Sequence, residues 1–304
     1  MTYQIGYEYL SFCVGDETFQ RVMNTAYDLV IADELFPSSQ AAMALKLRER
    51  FGTKFASLAT TDISSIFYSY RSISRNPVVT PNHYTKGYEM HNFKVENFLG
   101  RLRTIWDTIE EQYFINIISN DWMAKAGKLL GIKSSLKEFF EASHLTFMDF
   151  PSRYGFPASS TSSFIHVGEH CEEGKQLPRD LQEFVEDPRS RGTIYIAFGS
   201  IVNWAVAPAE VVATFFAALN SLVNYRVIFS YGGPVVKGLK PHVKIVQWAP
   251  QNDILSHNKT ILFFTHGGLK SVKEGICTET AMLFLPIFRG STSECTVCSE
   301  VGHS

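Results

Sequence analysis

Residues 248–288, WAPQNDILSHNKTILFFTHGGLKSVKEGICTETAMLFLPIF, decide the reading of this 304-residue chain. Within them 260–265 (TILFFT) is a short apolar run rich in β-formers, which predicts a buried strand. It ends at His266-Gly267-Gly268. Residues 269–277 then take helical spacing, with Leu269, Val272 and Ile276 on one face. A strand feeding a Gly-rich turn and a helix start aims free backbone N–H groups at one spot, and the helix dipole favours an anion there. Glycine lets a diphosphate approach the backbone without a Cβ in the way. Ser271 and Glu274, three apart, share the helical face beside that opening.

Working outward, 193–198 reads as a strand, and Pro208 suits the first position of a helix running to about Leu222. Strands are predicted at 225–229 and 243–246, a short helix at 252–256, and a closing apolar strand at 281–288. Alternating buried strands and helices predict a parallel sheet with helices on both faces. In such sheets ligands bind beyond the carboxyl ends of the strands. Ser200, Trp248 and His266 each follow a predicted strand, so topology alone puts them on one rim.

The N-terminal half is less regular. A buried strand is expected at 27–32, ending at Asp33; Ser38 or Ser39 then caps a helix over 40–50 that stops at Gly52. Strands follow at 55–59, 145–150 and 164–167. A long amphipathic helix is expected from 93 to about 118, with Phe98, Leu102, Ile105 and Ile109 along one stripe. Its expected place is core or interdomain packing; a membrane-lying or acceptor-cleft position is the alternative. Between 168 and 192 the composition turns charged and irregular, and the domain connection is placed there. The expected division is therefore 1–167, the connection 168–192, a second domain over 193–288, and a tail at 289–304.

Composition narrows the function classes. The formal charge is −2 and no Lys/Arg-rich run occurs, so nucleic acid is not an expected partner. No apolar stretch approaches the roughly 20 residues of a membrane span, and the chain starts without the basic and apolar segments of a signal peptide. Five cysteines are too few for a disulfide scaffold. Cys295-Thr-Val-Cys298 with His303 offers at most three zinc ligands, so no metal site is expected. Neither a Gly-x-Gly-x-x-Gly nor a Gly-x-x-x-x-Gly-Lys is present, which removes the anchors of a dinucleotide oxidoreductase and of a P-loop.

The segment from Trp248 through Pro286 and Phe288 resembles, in register and without a gap, the signature box of the UDP-glycosyltransferase family, nearest the animal UDP-glucuronosyltransferases. The resemblance rests on the Trp-x-Pro-Gln start, the His-Gly-Gly turn and the Ser-x-x-Glu helix. It continues more weakly through Tyr195-Ile-Ala-Phe-Gly-Ser200 and back to 27–33. Singly, a Trp before Pro is an ordinary surface aromatic and a His after a strand an ordinary structural histidine; the ordered set is what carries weight. The resemblance implies that Trp248 stacks on uracil, with backbone groups of Ala249 reading its edge. Gln251 would lie near the ribose and sugar. His266, Gly268 and Ser271 would hold the diphosphate, Glu274 the ribose hydroxyls, and Ser200 would join them on the rim. Lys270 would add a cation to the diphosphate or face water.

The family further implies a GT-B-like α/β fold: two doubly wound, Rossmann-like domains facing across a cleft, the N-terminal one incomplete here. It implies sugar transfer from a UDP-sugar to a hydroxyl of a small lipophilic acceptor, with no cofactor. Assembly with itself or related transferases, and a place in the endoplasmic reticulum membrane and lumen, are further implications. Asn258-Lys-Thr260 is a glycosylation sequon. Two departures stand out. The family's base histidine precedes the segment matching 27–33, yet the first histidine here is His83; Asp33 matches the aspartate that pairs with that base. Gly290 and Ser291 stand where the family carries the acidic residue and Gln that hold the sugar hydroxyls. The expectation is a transferase by descent whose own turnover is in doubt. A nucleotide-binding protein without transfer, or a regulatory partner of full-length relatives, is the alternative.

Overall fold

The computed structural model describes residues 2–34, 37–60, 65–71, 73, 76–80, 94, 96–149, 159, 161–200 and 202–285. They form two units, Met1–Glu169 and His170–Ser304. The first contains α1 (Thr2–Cys13), α2 (Glu17–Met23), β1 (Leu29–Asp33), α3 (Pro37–Phe51), β2 (Lys54–Ala59) and α4 (Ser65–Ser69). It continues with α5 (Phe98–Phe114), a π-turn (Ile115–Ser119), α6 (Asn120–Leu129), α7 (Leu136–Ala142), β3 (Thr146–Met148) and β4 (Phe164–His166). The four strands are parallel in the order β1-β2-β3-β4. Phe55, Met123, Phe139, Phe140 and Met148 fill the core against this sheet, and Phe55 stacks on Phe139 at 5.2 Å.

Two expectations for this unit change, and one stretch without an expected element gains two helices. Ser38 and Ser39 lie inside α3 and are buried rather than capping it; Pro37 is its first residue. Proline's fixed φ suits that position, where no N–H has a helical partner, and the Ser38 hydroxyl donates to the carbonyl of Tyr3 in α1. The stretch before Tyr27 holds two helices, the second capped by Asp16, whose carboxylate accepts from the N–H groups of Thr18 and Phe19. In α5 the packed face carries Gly100, Thr104 and Glu111, while Phe98, Leu102 and Ile109 are exposed. The stripe is therefore not core. The buried Thr104 hydroxyl donates back to the Gly100 carbonyl at 3.0 Å, which satisfies it within the helix.

The second unit carries α8 (Arg179–Val185), β5 (Thr193–Ala197), α9 (Ala209–Ser221), β6 (Arg226–Ser230) and β7 (Val243–Val246). Then come α10 (Gln251–Leu255), β8 (Thr260–Thr265), α11 (Leu269–Cys277) and β9 (Met282–Phe284). All five strands are parallel, in the order β7-β6-β5-β8-β9. Alternation along β5 shows how both faces are covered. Tyr195 and Ala197 join Leu181, Val185, Ile254 and Phe263 on one side. Ile194 and Ile196 join Phe216, Leu219 and Phe229 on the other. This is a doubly wound sheet, as alternating apolar strands and helices imply.

The stretch 168–192 is more than a connection: α8 lies within it, and Leu177, Leu181 and Val185 are buried in the second unit's core. Cys171 is disulfide-bonded to Cys277, 106 residues away at the end of α11. Five cysteines do not make a scaffold, but two of them make one long-range staple. Among the described residues no helix is long and apolar enough to cross a membrane. His83, Pro286, Phe288, Gly290, Ser291, Cys295, Cys298 and His303 lie outside the described residues.

Candidate nucleotide site

The strand order fixes where the second unit can bind a ligand. From β5 the chain runs outward through β6 and β7 on one side, then returns to lay β8 and β9 on the other. The loops leaving β5 and β8 consequently diverge, and the crevice between their carboxyl ends is the topological switch point at which doubly wound sheets bind ligands. The loop after β5 carries Gly199 and Ser200; the loop after β8 carries His266, Gly267 and Gly268.

These two loops meet around the His266 ring. A Cβ on Gly199 would stand 2.8 Å from His266 Cε1, and one on Gly268 would stand 2.6 Å from Nε2. Neither position has room for a side chain. Gly199 also adopts φ +69°, a left-handed conformation that other residues rarely take. Both glycines thus exist to seat an imidazole between two backbones. Half-buried there, His266 has its pKa lowered by burial, which disfavours the charged ring. At neutral pH it offers a neutral ring N–H rather than a cation. Gly268 is the N-cap of α11, so the free N–H groups of that helix open beside the ring.

The second half of the site is a side-chain cluster. Gln251, the first residue of α10, donates from Nε2 to Ser271 Oγ at 3.1 Å and to Glu274 Oε2. Its Oε1 accepts from the Tyr195 hydroxyl at 3.3 Å. Ser271 and Glu274 do share a helical face, and what unites them is the amide of another helix. Glu274 has its pKa raised, chiefly by burial; the Gln251 hydrogen bond and the charges of Lys270 and Lys273 pull the other way, and Glu172 adds to the rise. Lys270 itself is exposed.

Trp248 is 85% exposed and the neighbouring Ala249 is buried at 7%. Val246 ends β7, the strand beside β6, so Trp248 stands on the same carboxyl rim with a free indole face. Ala249 packs into the core and anchors the backbone beneath it. Ser200 is exposed at the start of its loop. Asp33 closes β1 in the other unit, where its N–H donates to Gln40 Oε1 at 2.7 Å. Two site features escaped the sequence reading. Gly199 and Tyr195 belong to the Tyr195–Ser200 motif, but neither has an individual role implied by it. The signal for the latter was present: a tyrosine at the centre of an apolar strand needs a partner for its hydroxyl.

Comparisons with known proteins bear on the family and the fold. The sequence model described as UDP-glucoronosyl and UDP-glucosyl transferase matches residues 4–302. UDP-glucuronosyltransferase 2C1 of Oryctolagus cuniculus is 26% identical over 91% of this chain and 53% of its own length. UDP-glucuronosyltransferase 2B10 of Homo sapiens is 26% identical over 88% of this chain and 49% of its own length. The chain spans about half the length of the curated relatives it matches. Among solved structures, a UDP-glucose: anthocyanidin 3-O-glucosyltransferase in complex with UDP superposes with TM-score 0.54 at 15% identity, covering 97% of this chain and 65% of that one. The glycotransferase of kitacinnamycin does so with TM-score 0.54 at 17% identity, covering 97% and 67%. These likenesses show an α/β fold of the GT-B class. With the family match running almost end to end, the chain belongs to the UDP-glucoronosyl and UDP-glucosyl transferase family.

Proposed function

We propose that the second unit binds the UDP moiety of a UDP-sugar and that the protein serves glucuronosyltransferase-like transfer to a hydroxyl of a small lipophilic acceptor. The observation carrying this reading is the pairing, at one switch point, of a glycine-seated imidazole and helix N-terminus with the Gln251–Ser271–Glu274 cluster. In this reading the helix start and the His266 N–H take the diphosphate oxygens, which accept from both. Glu274 accepts from the ribose hydroxyls, a carboxylate for a diol. Trp248 offers a flat apolar face to the base, and Ala249 backbone groups read the base edge. Gln251, bonded to both Ser271 and Glu274, sits between the phosphate and ribose positions.

Transfer would proceed by attack of the acceptor oxygen on the anomeric carbon, breaking its bond to the diphosphate oxygen. The hydroxyl proton would pass to a general base, the role the family resemblance gives to a histidine preceding the segment that matches 27–33. Charge then gathers on departing UDP, where the α11 N–H groups and His266 are preorganised to receive it. The Cys171–Cys277 bridge fits an oxidising compartment such as the endoplasmic reticulum lumen. Calorimetric titration with UDP, UMP and uridine tests the assignment. Affinity should rise with each phosphate, and His266→Ala should erase most of the gain from uridine to UDP. Equal losses for uridine and UDP would place His266 in folding instead.

A further inference from the structure

We propose that Tyr195 is a positioning residue of the nucleotide site: its phenol anchors the Gln251 amide, which in turn holds Glu274 in place for the ribose and Ser271 beside the diphosphate. The inference rests on the UDP-binding reading above. Tyr195 is 1% exposed, so it touches no ligand itself. It lies on β5, with its ring against Phe263 of β8 at 5.3 Å, spanning the two strands that flank the switch point. A buried tyrosine hydroxyl requires a partner. Here the partners are Gln251 Oε1 and the side chain of Ser230.

Chemistry fixes the direction of every bond in this chain. An ionised Glu274 can only accept, so the Gln251 NH2 must face it, leaving Oε1 toward the phenol. Oε1 can only accept, so the phenol must donate. One amide therefore relays a single O–H from the sheet interior into two N–H bonds at the site, to Ser271 and to Glu274. Chains of this kind polarise one another. The Glu274 carboxylate selects this amide orientation; without the phenol, Oε1 loses its donor and the Gln251 side chain loses its anchor to the sheet. Gln251 opens a five-residue helix, too short to hold its side chain by helical packing alone. The strand supplies that constraint.

The test uses Tyr195→Phe in the full chain, which keeps the ring on Phe263 and removes only the hydroxyl. Binding of UDP and of 2′,3′-dideoxy-UDP, which lacks the diol, is measured by calorimetry, with Tm as a control. The expected result is a loss of about three- to tenfold for UDP, the size of one hydrogen bond, and a smaller one, through Ser271 alone, for the dideoxy nucleotide. In a Gln251→Ala background the same change should cost nothing further, since the relay is already broken. Equal losses for both nucleotides, unchanged UDP affinity, or additivity with Gln251→Ala would overturn the role of Tyr195. Wild-type protein that binds UDP no better than dideoxy-UDP would overturn the ribose assignment of Glu274 as well, and the UDP-binding reading would fall only if wild type bound neither.

Discussion

The two units start from the same local pattern and end differently. Leu29–Asp33 and Thr193–Ala197 are both five-residue apolar strands opening a parallel sheet. In β5 every residue is buried, whereas in β1 Leu29 and Ile31 are 52% and 55% exposed. Position in the sheet makes the difference. β5 is the central strand, flanked by β6 and β8 and covered on both faces; β1 is an edge paired only with β2. An apolar run announces that a strand prefers burial, but its neighbours decide whether it is buried. The central position also creates the switch point, so the strand most completely packed is the one whose end opens onto the site. Dense packing and the candidate site coincide in the second unit. In the first, the described helices display a long apolar face along α5, with Trp106 and Tyr113 exposed beside Phe98 and Leu102.

The largest expected effect breaks that contrast through the staple. Cys171–Cys277 closes a loop with a sequence separation of 106, whereas the cysteine of the first unit, Cys13, is free. Crosslinks of this span contribute roughly 2–5 kcal/mol when native geometry accepts them. Cys277→Ser should therefore destabilise the second unit by about that amount and leave the first untouched. Hydrogen exchange followed separately at β2 and at β5 and β8 reads the two units in one experiment. Equal acceleration in both would mean that the bridge stabilises something other than the second unit.

Next in size are the glycines that seat His266. A methyl at Gly268 must displace the imidazole, an overpacking cost of about 1–3 kcal/mol. Gly268→Ala should thus lower Tm and weaken UDP binding together. Gly15, with nothing within 4 Å of an added Cβ, is the matched control in the first unit. Gly15→Ala should change neither quantity appreciably. A Gly268→Ala protein with wild-type UDP affinity would show that His266 can move without consequence, and the close approach would lose its functional meaning.

Trp248→Ala dissects the site from the fold. With the side chain 85% exposed, stability should hardly change, while base stacking of the usual strength would cost about 1–3 kcal/mol of UDP affinity. Unchanged affinity in the folded variant would remove Trp248 from the site. Much of this was legible beforehand. The β8 and α11 boundaries, the rim holding Ser200, Trp248 and His266, and the Ser271–Glu274 face all follow from local periodicity and turn chemistry. Local signals were also overlooked: Ser135 caps α7, accepting from the Glu138 N–H at 3.1 Å, the Ser-x-x-Glu pattern of a helix start. What no local rule contains is the relay through Gln251, whose partners lie 56, 20 and 23 residues away, or the pairing of Cys171 with Cys277. Equally hidden was the face of α5 that packs, which carries Gly100, Thr104 and Glu111 rather than the apolar stripe.

The smallest expected effect is one of pH, and it bears on the part of the site with no counterpart among the described residues of the first unit. Burial raises the Glu274 pKa above the ordinary carboxylate range, and only the ionised form accepts both ribose hydroxyls. Affinity for UDP should therefore fall as pH drops through that raised value and level off once the carboxyl is protonated, the total loss bounded by what the diol contributes to binding. Two other groups act in the same region. His266, whose pKa burial lowers, becomes cationic toward acid pH and should then strengthen diphosphate binding; the diphosphate itself takes up a proton and weakens it. Both effects are common to UDP and 2′,3′-dideoxy-UDP, so the ratio of their affinities isolates the diol and its carboxylate. That ratio should decline toward acid pH in the wild type and stay flat in Glu274→Gln. Stability moves oppositely. A carboxyl whose folded pKa exceeds its unfolded one favours the folded state below the unfolded pKa, and that contribution is lost as pH rises through the folded value. Acidification should therefore weaken ribose recognition while Glu274 itself contributes more to stability. An affinity ratio that ignores pH in the wild type would show that the carboxylate charge plays no part in binding the ribose.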